Sequence, residues 1–208
     1  MEIVPAIISN TFAEVEDKLN LLEPLVDWAH VDVMDGSMTS TKSWRVPSDL
    51  DFVNGKIKLE VHLMIKDVEE VLAEWASVTD RLIIHAESVA DLGEVIEVFK
   101  NHHSKLGVAL LLDTPLAEIT SVLPEIDFVH LMSVREIGYH GKKFEEEVLE
   151  KIKSLRALSS SVTISVDGGI TLDNKEKIIS AGANRLVVGQ ALWSTPDLAA
   201  TINAFRRS

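Results

Sequence analysis

The sequence predicts an α/β fold, a single (β/α)8 barrel, and three observations carry that expectation. Short β-branched runs alternate with amphipathic stretches from one end of the chain to the other. There are eight such runs. Those reading Leu82-Ile83-Ile84, 106–112 and Leu186-Val187-Val188 are nearly continuous in apolar residues. Strands covered on both faces read this way, and a parallel sheet wrapped by helices is the usual cause. Eight β-α units with no break in composition favour closure into a barrel. A doubly wound open sheet usually carries a glycine-rich turn after its first strand; here that turn is Ser9-Asn10-Thr11-Phe12.

In chain order, strands are expected over residues 3–9, 28–33, 58–64, 81–85, 105–112, 128–132, 162–166 and 185–189. Helical periodicity falls between them, over 12–22, 68–75, 89–101, 145–158 and 175–181, with a closing helix near 196–206. The longest irregular stretch, 36–47, follows the second strand and is rich in Ser, Thr and Gly; loops of that length usually have a function or are mobile. No linker or low-complexity segment interrupts the pattern, so one domain over residues 1–208 is expected.

Composition narrows the function classes. Apolar residues are 46% and charged residues 25%, ordinary for a globular chain with a real core. No apolar run is long enough to cross a bilayer, and Met1-Glu2-Ile3-Val4-Pro5 lacks the features of a signal peptide, so a cytoplasmic protein without a membrane partner is expected. With no cysteine, disulfides, thiolate metal sites and cysteine nucleophiles are excluded. A net charge of −13 makes nucleic acid a poor partner. A small anionic substrate would have to be held by local devices: a metal ion, helix N-termini or backbone N–H groups.

In barrels of this class the active groups sit at the C-terminal ends of the strands. The polar residues there are Ser9, His30, Asp32, Asp35, His62, His85, Glu87 and Asp167. Strand alternation puts His30, Asp32 and Met34 on one face and His62 with Met64 on the matching one, while Val31 and Val33 point the other way to meet helices. His85 alone reads equally well as a cap or a satisfied hydrogen-bonder. His30, Asp32, His62 and Asp167 together would be costly at a barrel mouth without a shared cation or mutual neutralisation. Neutral imidazoles with carboxylates suit one borderline divalent cation: Zn, Fe, Mn or Co. Met34, Met64 and Met132 end strands at the same rim, where three methionines can act as core filler or as an apolar lid.

These residues carry a family likeness. The chain resembles the ribulose-phosphate 3-epimerases, a family of TIM barrels, over nearly its whole length. The likeness rests on Pro5-Ala6-Ile7-Ile8-Ser9, His30-Val31-Asp32-Val33-Met34-Asp35-Gly36, Val61-His62-Leu63-Met64, His85-Ala86-Glu87, Met132-Ser133-Val134, Val166-Asp167-Gly168-Gly169-Ile170 and Ala181-Gly182-Ala183-Asn184. The resemblance implies an isomerase interconverting D-ribulose 5-phosphate and D-xylulose 5-phosphate through a metal-stabilised enediolate. It implies His30, Asp32, His62 and Asp167 as metal ligands, with Asp32 and Asp167 also moving the proton. It implies Ser9, the lid methionines Met34, Met64 and Met132, and backbone N–H groups at Gly168, Gly169 and Gly189 as substrate contacts. It also implies a homo-oligomer.

The chain departs from the family pattern in its loops. After the sixth strand, the usual N-P-G-F-G-G-Q reads Arg135-Glu136-Ile137-Gly138-Tyr139-His140-Gly141-Lys142 with one residue inserted; Gly138 and Gly141 match the glycines. Arg135, His140, Lys142 and Lys143 are candidate cationic phosphate contacts, or else a solvated basic loop. The stretch 36–44 lacks the usual V-P-N, Leu111-Leu112 replaces an Asn-Pro, and Gly189-Gln190 replaces a Gly-Ser, which puts Gln190 at a substrate-facing position. Two alternatives therefore stand beside the pentulose reading: an epimerase for a hexulose phosphate such as allulose 6-phosphate, and a non-catalytic phosphosugar-binding barrel. A decarboxylase of the related phosphate-binding barrels is disfavoured, because Met34 stands where those carry a lysine between two aspartates.

Overall fold

The computed structural model describes residues 1–53 and 55–207. Eight parallel strands close in sequence order, β8 pairing with β1. They are β1 (Glu2–Ile7), β2 (Trp28–Met34), β3 (Lys58–Met64), β4 (Arg81–His85), β5 (Lys105–Leu110), β6 (Phe128–Met132), β7 (Thr163–Asp167) and β8 (Arg185–Val188). Among the described residues the helices are α1 (Phe12–Leu22), α2 (Leu72–Val78), α3 (Leu92–Phe99), α4 (Ala117–Thr120), α5 (Glu147–Leu158), α6 (Lys175–Ala181), α7 (Gln190–Trp193) and α8 (Leu198–Arg206), with 3-10 turns at Pro47–Phe52, Val68–Glu70, Ala86–Ser88 and Leu123–Glu125. No described helix is long and apolar enough to cross a membrane.

The expected (β/α)8 barrel is therefore present, with small differences at the element ends. The fifth strand stops at Leu110 rather than 112, because the N–H of Leu111 leaves the ladder and donates to the Glu87 carboxylate at 2.8 Å. The first stops at Ile7, and the carbonyl of Ser9 instead accepts the N–H of Trp44 at 2.8 Å. The helix expected over 68–75 divides at Val71 into a 3-10 turn, entered from Asp67 with a left-handed φ of 52°, and α2. Side-chain caps fix three helix starts: Thr11 accepts from Glu14 N, Asp91 from Gly93 N and Glu94 N, and Asp197 from Ala200 N. Each such cap stabilises by about 1 kcal/mol.

The main core lies between the strands and the helices, where Val31, Val33, Val61, Leu63, Leu82, Ile84, Val166 and Leu186 meet α-helical residues such as Leu19, Trp75, Ile152 and Ile178. The barrel's interior is different. Its lower part holds Trp28, Arg81, Phe128, Arg185 and Glu60; its middle holds four histidines; its upper rim holds Met34, Met64 and Met132 with Val134 and Ile137. Arg185 and Arg81 bind Glu60 and Glu2, and the Arg81 guanidinium stacks 3.4 Å from the Trp28 ring centre. A polar plug thus closes the end of the barrel opposite the strand tips.

Candidate metal centre and active site

Strand register brings the site together. Asp32 stands beside His62, and Met34 beside Met64, in the β2–β3 ladder, while Met132 pairs with Asp167 between β6 and β7. Strands β2 and β7 are not neighbours, yet one donor atom each from His30, Asp32, His62 and Asp167 lies within 4.8 Å of the others. The His30 and His62 side chains are completely buried, and Asp32 and Asp167 are only 7% and 13% exposed. Asp32 and Asp167 line a cavity of about 1040 Å³ at the C-terminal mouth of the barrel; His30 and His62 adjoin Asp32 without lining it.

Hydrogen bonds explain how the two candidate histidine ligands are aimed at Asp32. His30 Nδ1 donates to Glu60 Oε1 at 2.8 Å, which leaves Nε2 turned toward Asp32 Oδ1 at 3.2 Å. His62 Nδ1 lies 3.0 Å from the same oxygen, and its Nε2 lies 2.8 Å from His85 Nε2. His85 Nδ1 is in turn 3.2 Å from Glu87 Oε2. Two imidazoles therefore turn a ring nitrogen toward one carboxylate oxygen.

The electrostatics fit a site that wants positive charge. Burial alone would push His30 down, but Asp32 and Glu60 outweigh it and raise its pKa to about 10. Burial likewise favours a neutral Asp32, but His30 and His62 hold its carboxyl well below the usual range. For Glu60, Arg185 and His30 overcome burial and again depress the pKa. Asp167 behaves oppositely: burial, reinforced by the Asp32 charge, pushes it up to about 6. A buried, electron-rich set of two imidazoles and two carboxylates, with its histidines oriented from behind, is the donor chemistry of a divalent cation such as Zn, Fe, Mn or Co.

The other expected site residues are placed as follows. Met64, Met132, Gly138, Gly141, Gly168, Gly169, Gly189 and Gln190 all line the cavity. Ser9 and Met34 do not line it. The Ser9 hydroxyl faces Lys18 Nζ at 2.9 Å, and Met34 lies under the loop after β6, where the Thr41 hydroxyl approaches its sulfur at 3.4 Å. Gly169 has φ +63°, and a Cβ there would stand 2.4 Å from the backbone nitrogen of Phe144, so the turn after β7 and the β6 loop touch backbone to backbone. Among the cationic candidates, Arg135 is exposed, bound to Glu147 and outside the cavity lining. Lys142 pairs with Glu136 at 2.5 Å. His140 lies directly over Gly189: a Cβ on that glycine would stand 2.7 Å from His140 Nδ1. The two loops that depart from the family pattern hold each other, through Ser40 to the Tyr139 hydroxyl and through the Thr41 hydroxyl, which donates to the Gly138 carbonyl at 3.0 Å.

Sequence reasoning missed Glu60, His130 and Arg185. Glu60 is two residues before His62 and His130 two before Met132, so the alternation that paired His30 with Asp32 was available for both. His130 is fully buried 3.4 Å from Asp167 Oδ2 with neither ring nitrogen hydrogen-bonded, and burial followed by the nearby His62 and His30 drives its pKa well down.

Comparison with known proteins bears on the same residues. A sequence model of the Ribulose-phosphate 3 epimerase family matches residues 2–193. The chain is 35% identical to "Ribulose-5-phosphate-3-epimerase, chloroplastic" of Arabidopsis thaliana over 98% of this chain and 75% of that protein. It is 32% identical to the "Ribulose-phosphate 3-epimerase" of Bacillus subtilis over 100% of this chain and 99% of that one. Among solved structures, a 3-hexulose-6-phosphate synthase superposes with a TM-score of 0.73 at 16% identity, covering 99% of this chain and 98% of that one, a likeness of fold alone.

Proposed function

The chain belongs to the ribulose-phosphate 3-epimerase family, and from that premise we propose that it is a metal-dependent ketose-phosphate 3-epimerase, an isomerase acting on D-ribulose 5-phosphate and D-xylulose 5-phosphate. The observation that carries the reading is the convergence of His30, Asp32, His62 and Asp167 within 4.8 Å, with Asp32 and Asp167 lining the mouth cavity.

A divalent cation held by these four residues would polarise the substrate's carbonyl and help carry the negative charge that develops when the C3 proton leaves. The protein's own part is positional and acid–base. Asp32 and Asp167 approach from non-adjacent strands, so one carboxylate can take the C3 proton while the other, protonated, returns a proton to the opposite face of the planar enediolate. Their environments push their pKa values apart, as an acid–base pair of this kind needs. Met64 and Met132 present apolar surface beside the reacting carbons and keep water from the intermediate. Gly168, Gly169 and Gly189 bring backbone N–H groups to the phosphate end of the cavity, and His140, seated over Gly189, adds a side-chain donor.

The experiment is to incubate the metal-loaded protein with D-ribulose 5-phosphate and follow D-xylulose 5-phosphate by NMR, with allulose 6-phosphate in parallel. Equilibration of the pentulose pair is the expected result. Turnover of the hexulose phosphate alone would move the substrate to the altered loops' side of the family. Turnover of neither would favour a non-catalytic sugar-phosphate barrel.

A further inference from the structure

Behind His62 stands a second imidazole, and behind that a carboxylate with both oxygens engaged. His62 Nε2 meets His85 Nε2 at 2.8 Å; His85 Nδ1 meets Glu87 Oε2 at 3.2 Å; Glu87 Oε1 accepts the N–H of Leu111 at 2.8 Å and the hydroxyl of Thr114. His62 and His85 are wholly buried, so no solvent competes for the contact between them, while the Glu87 side chain is 21% exposed. The polarity of the chain can be read from its far end. Both partners of Glu87 Oε1 are donors, so Glu87 acts there as a carboxylate acceptor. These bonds keep Glu87 ionised, so the atom of His85 facing its other oxygen carries the hydrogen. With its proton at Nδ1, His85 offers a bare Nε2, and that nitrogen accepts a proton from His62 Nε2. His62 is left with its Nδ1 lone pair directed at the centre shared with Asp32 and His30.

We propose that Glu87 and His85 are positioning residues that fix the tautomer of His62, keeping Nδ1 available as a metal donor. The proposal rests on the metal-dependent reading above. It differs from the support given to His30, which meets its carboxylate, Glu60, directly. For His62 the signal passes through an intervening imidazole and ends on the segment after β5, where Leu111 and Thr114 hold Glu87.

Glu87→Gln tests the polarity because it keeps the shape. Leu111 N–H and Thr114 O–H demand an acceptor, so the amide oxygen stays with them and the NH2 group turns to His85. His85 must then expose a bare Nδ1 and carry its proton at Nε2, facing His62 Nε2. That drives the His62 proton onto Nδ1 and blocks the donor. Loss of an outer partner of this kind typically weakens metal binding about 10–100-fold.

The experiment has two arms. Zinc affinity is measured by competition against a chromophoric chelator for wild type, Glu87→Gln and Thr114→Val, the last removing one bond to Glu87 without changing the chain's direction. Histidine tautomers of the zinc-loaded wild type are read from long-range 1H–15N correlations. The expected results are a 10–100-fold loss in Glu87→Gln, a change under about threefold in Thr114→Val, and a singly protonated His85 with hydrogen at Nδ1. Equal affinity in wild type and Glu87→Gln, or a His85 protonated at Nε2, overturns the positioning role while leaving the metal reading in place. Failure of the wild type to bind zinc, cobalt, manganese or iron(II) overturns both. Should Glu87→Gln fail to fold, the wild-type tautomer decides.

Discussion

At the scale of single residues, Asp167 and Glu87 make opposite use of burial. Asp167 keeps a raised pKa, about 6, because burial and the Asp32 charge act together. Replacing it by Asn keeps the volume but removes both the proposed ligand and the proposed proton carrier. Asp167→Asn is expected to lose at least about 10³-fold in kcat while its circular dichroism spectrum is unchanged; near-wild-type turnover would refute its role. Glu87 is partly buried, yet its bonds to His85, Thr114 and Leu111 outweigh burial and lower its pKa to about 2. Lys151 of α5 lies within electrostatic reach of it. The folded value lies below the ordinary 4.5, so the stabilisation from ionised Glu87 is complete above pH 4.5 and is lost as pH falls toward 2. Denaturation of metal-free wild type and Glu87→Gln should therefore show a gap at pH 6 that narrows steadily between pH 4.5 and pH 2; a constant gap would contradict this. Of the metal-centre residues, His30, Asp32, His62 and Asp167 were legible because strand tips and alternation point to them. Glu60, His130 and Arg185 were not, because none stands at a strand tip: alternation reaches Glu60 and His130, but Glu60 shares its level with His30 and its charge partner Arg185 lies on a distant strand.

At the scale of elements, strand placement was legible to within one or two residues, since β-branched runs and the 3.6-residue period are local properties. The short pieces Pro47–Phe52, Ala117–Thr120 and Gln190–Trp193 were invisible to periodicity, being one or two turns long. The stretch 36–47, read as a long loop with a function or mobility, is tied down: Ser43 Oγ donates to the Asp32 carbonyl at 2.9 Å and accepts the Met34 N–H at 3.0 Å. It braces the β6 loop through Ser40 and Thr41, so the two divergent loops form one wall. On the other side that wall rests on Gly169, whose left-handed backbone brings it against Phe144. Gly169→Ala is expected to cost about 1–3 kcal/mol in stability and to raise KM more than it lowers kcat, because it displaces the loop over the phosphate end rather than the metal centre. Urea unfolding and steady-state kinetics check both, and an unchanged KM would show that the contact does not shape the substrate site.

At the scale of the whole molecule, the barrel is built as a stack. An apolar shell of strands and helices surrounds a polar axis that runs from Glu2, Arg81 and Arg185 through Glu60 to His30 and the mouth. Arg185 is 3% exposed and Glu60 not at all, so removing one partner leaves the other's charge buried. Arg185→Met is expected to destabilise by about 3–5 kcal/mol, seen as a lowered midpoint in urea, and to weaken metal binding through the loss of order at Glu60; a loss under about 1 kcal/mol would mean that Arg81 alone neutralises Glu60. The central claim, that this axis ends in a metal-dependent site for proton transfer at C3 of a ketose phosphate, is tested most directly by solvent deuterium wash-in. Metal-loaded and chelator-stripped protein are incubated in D2O with a panel of pentulose and hexulose phosphates. Deuterium should enter at C3, from the loaded protein only, and with ribulose 5-phosphate first. Exchange that persists in stripped protein shown to be free of metal, or no exchange at C3 with any member of the panel, would contradict it.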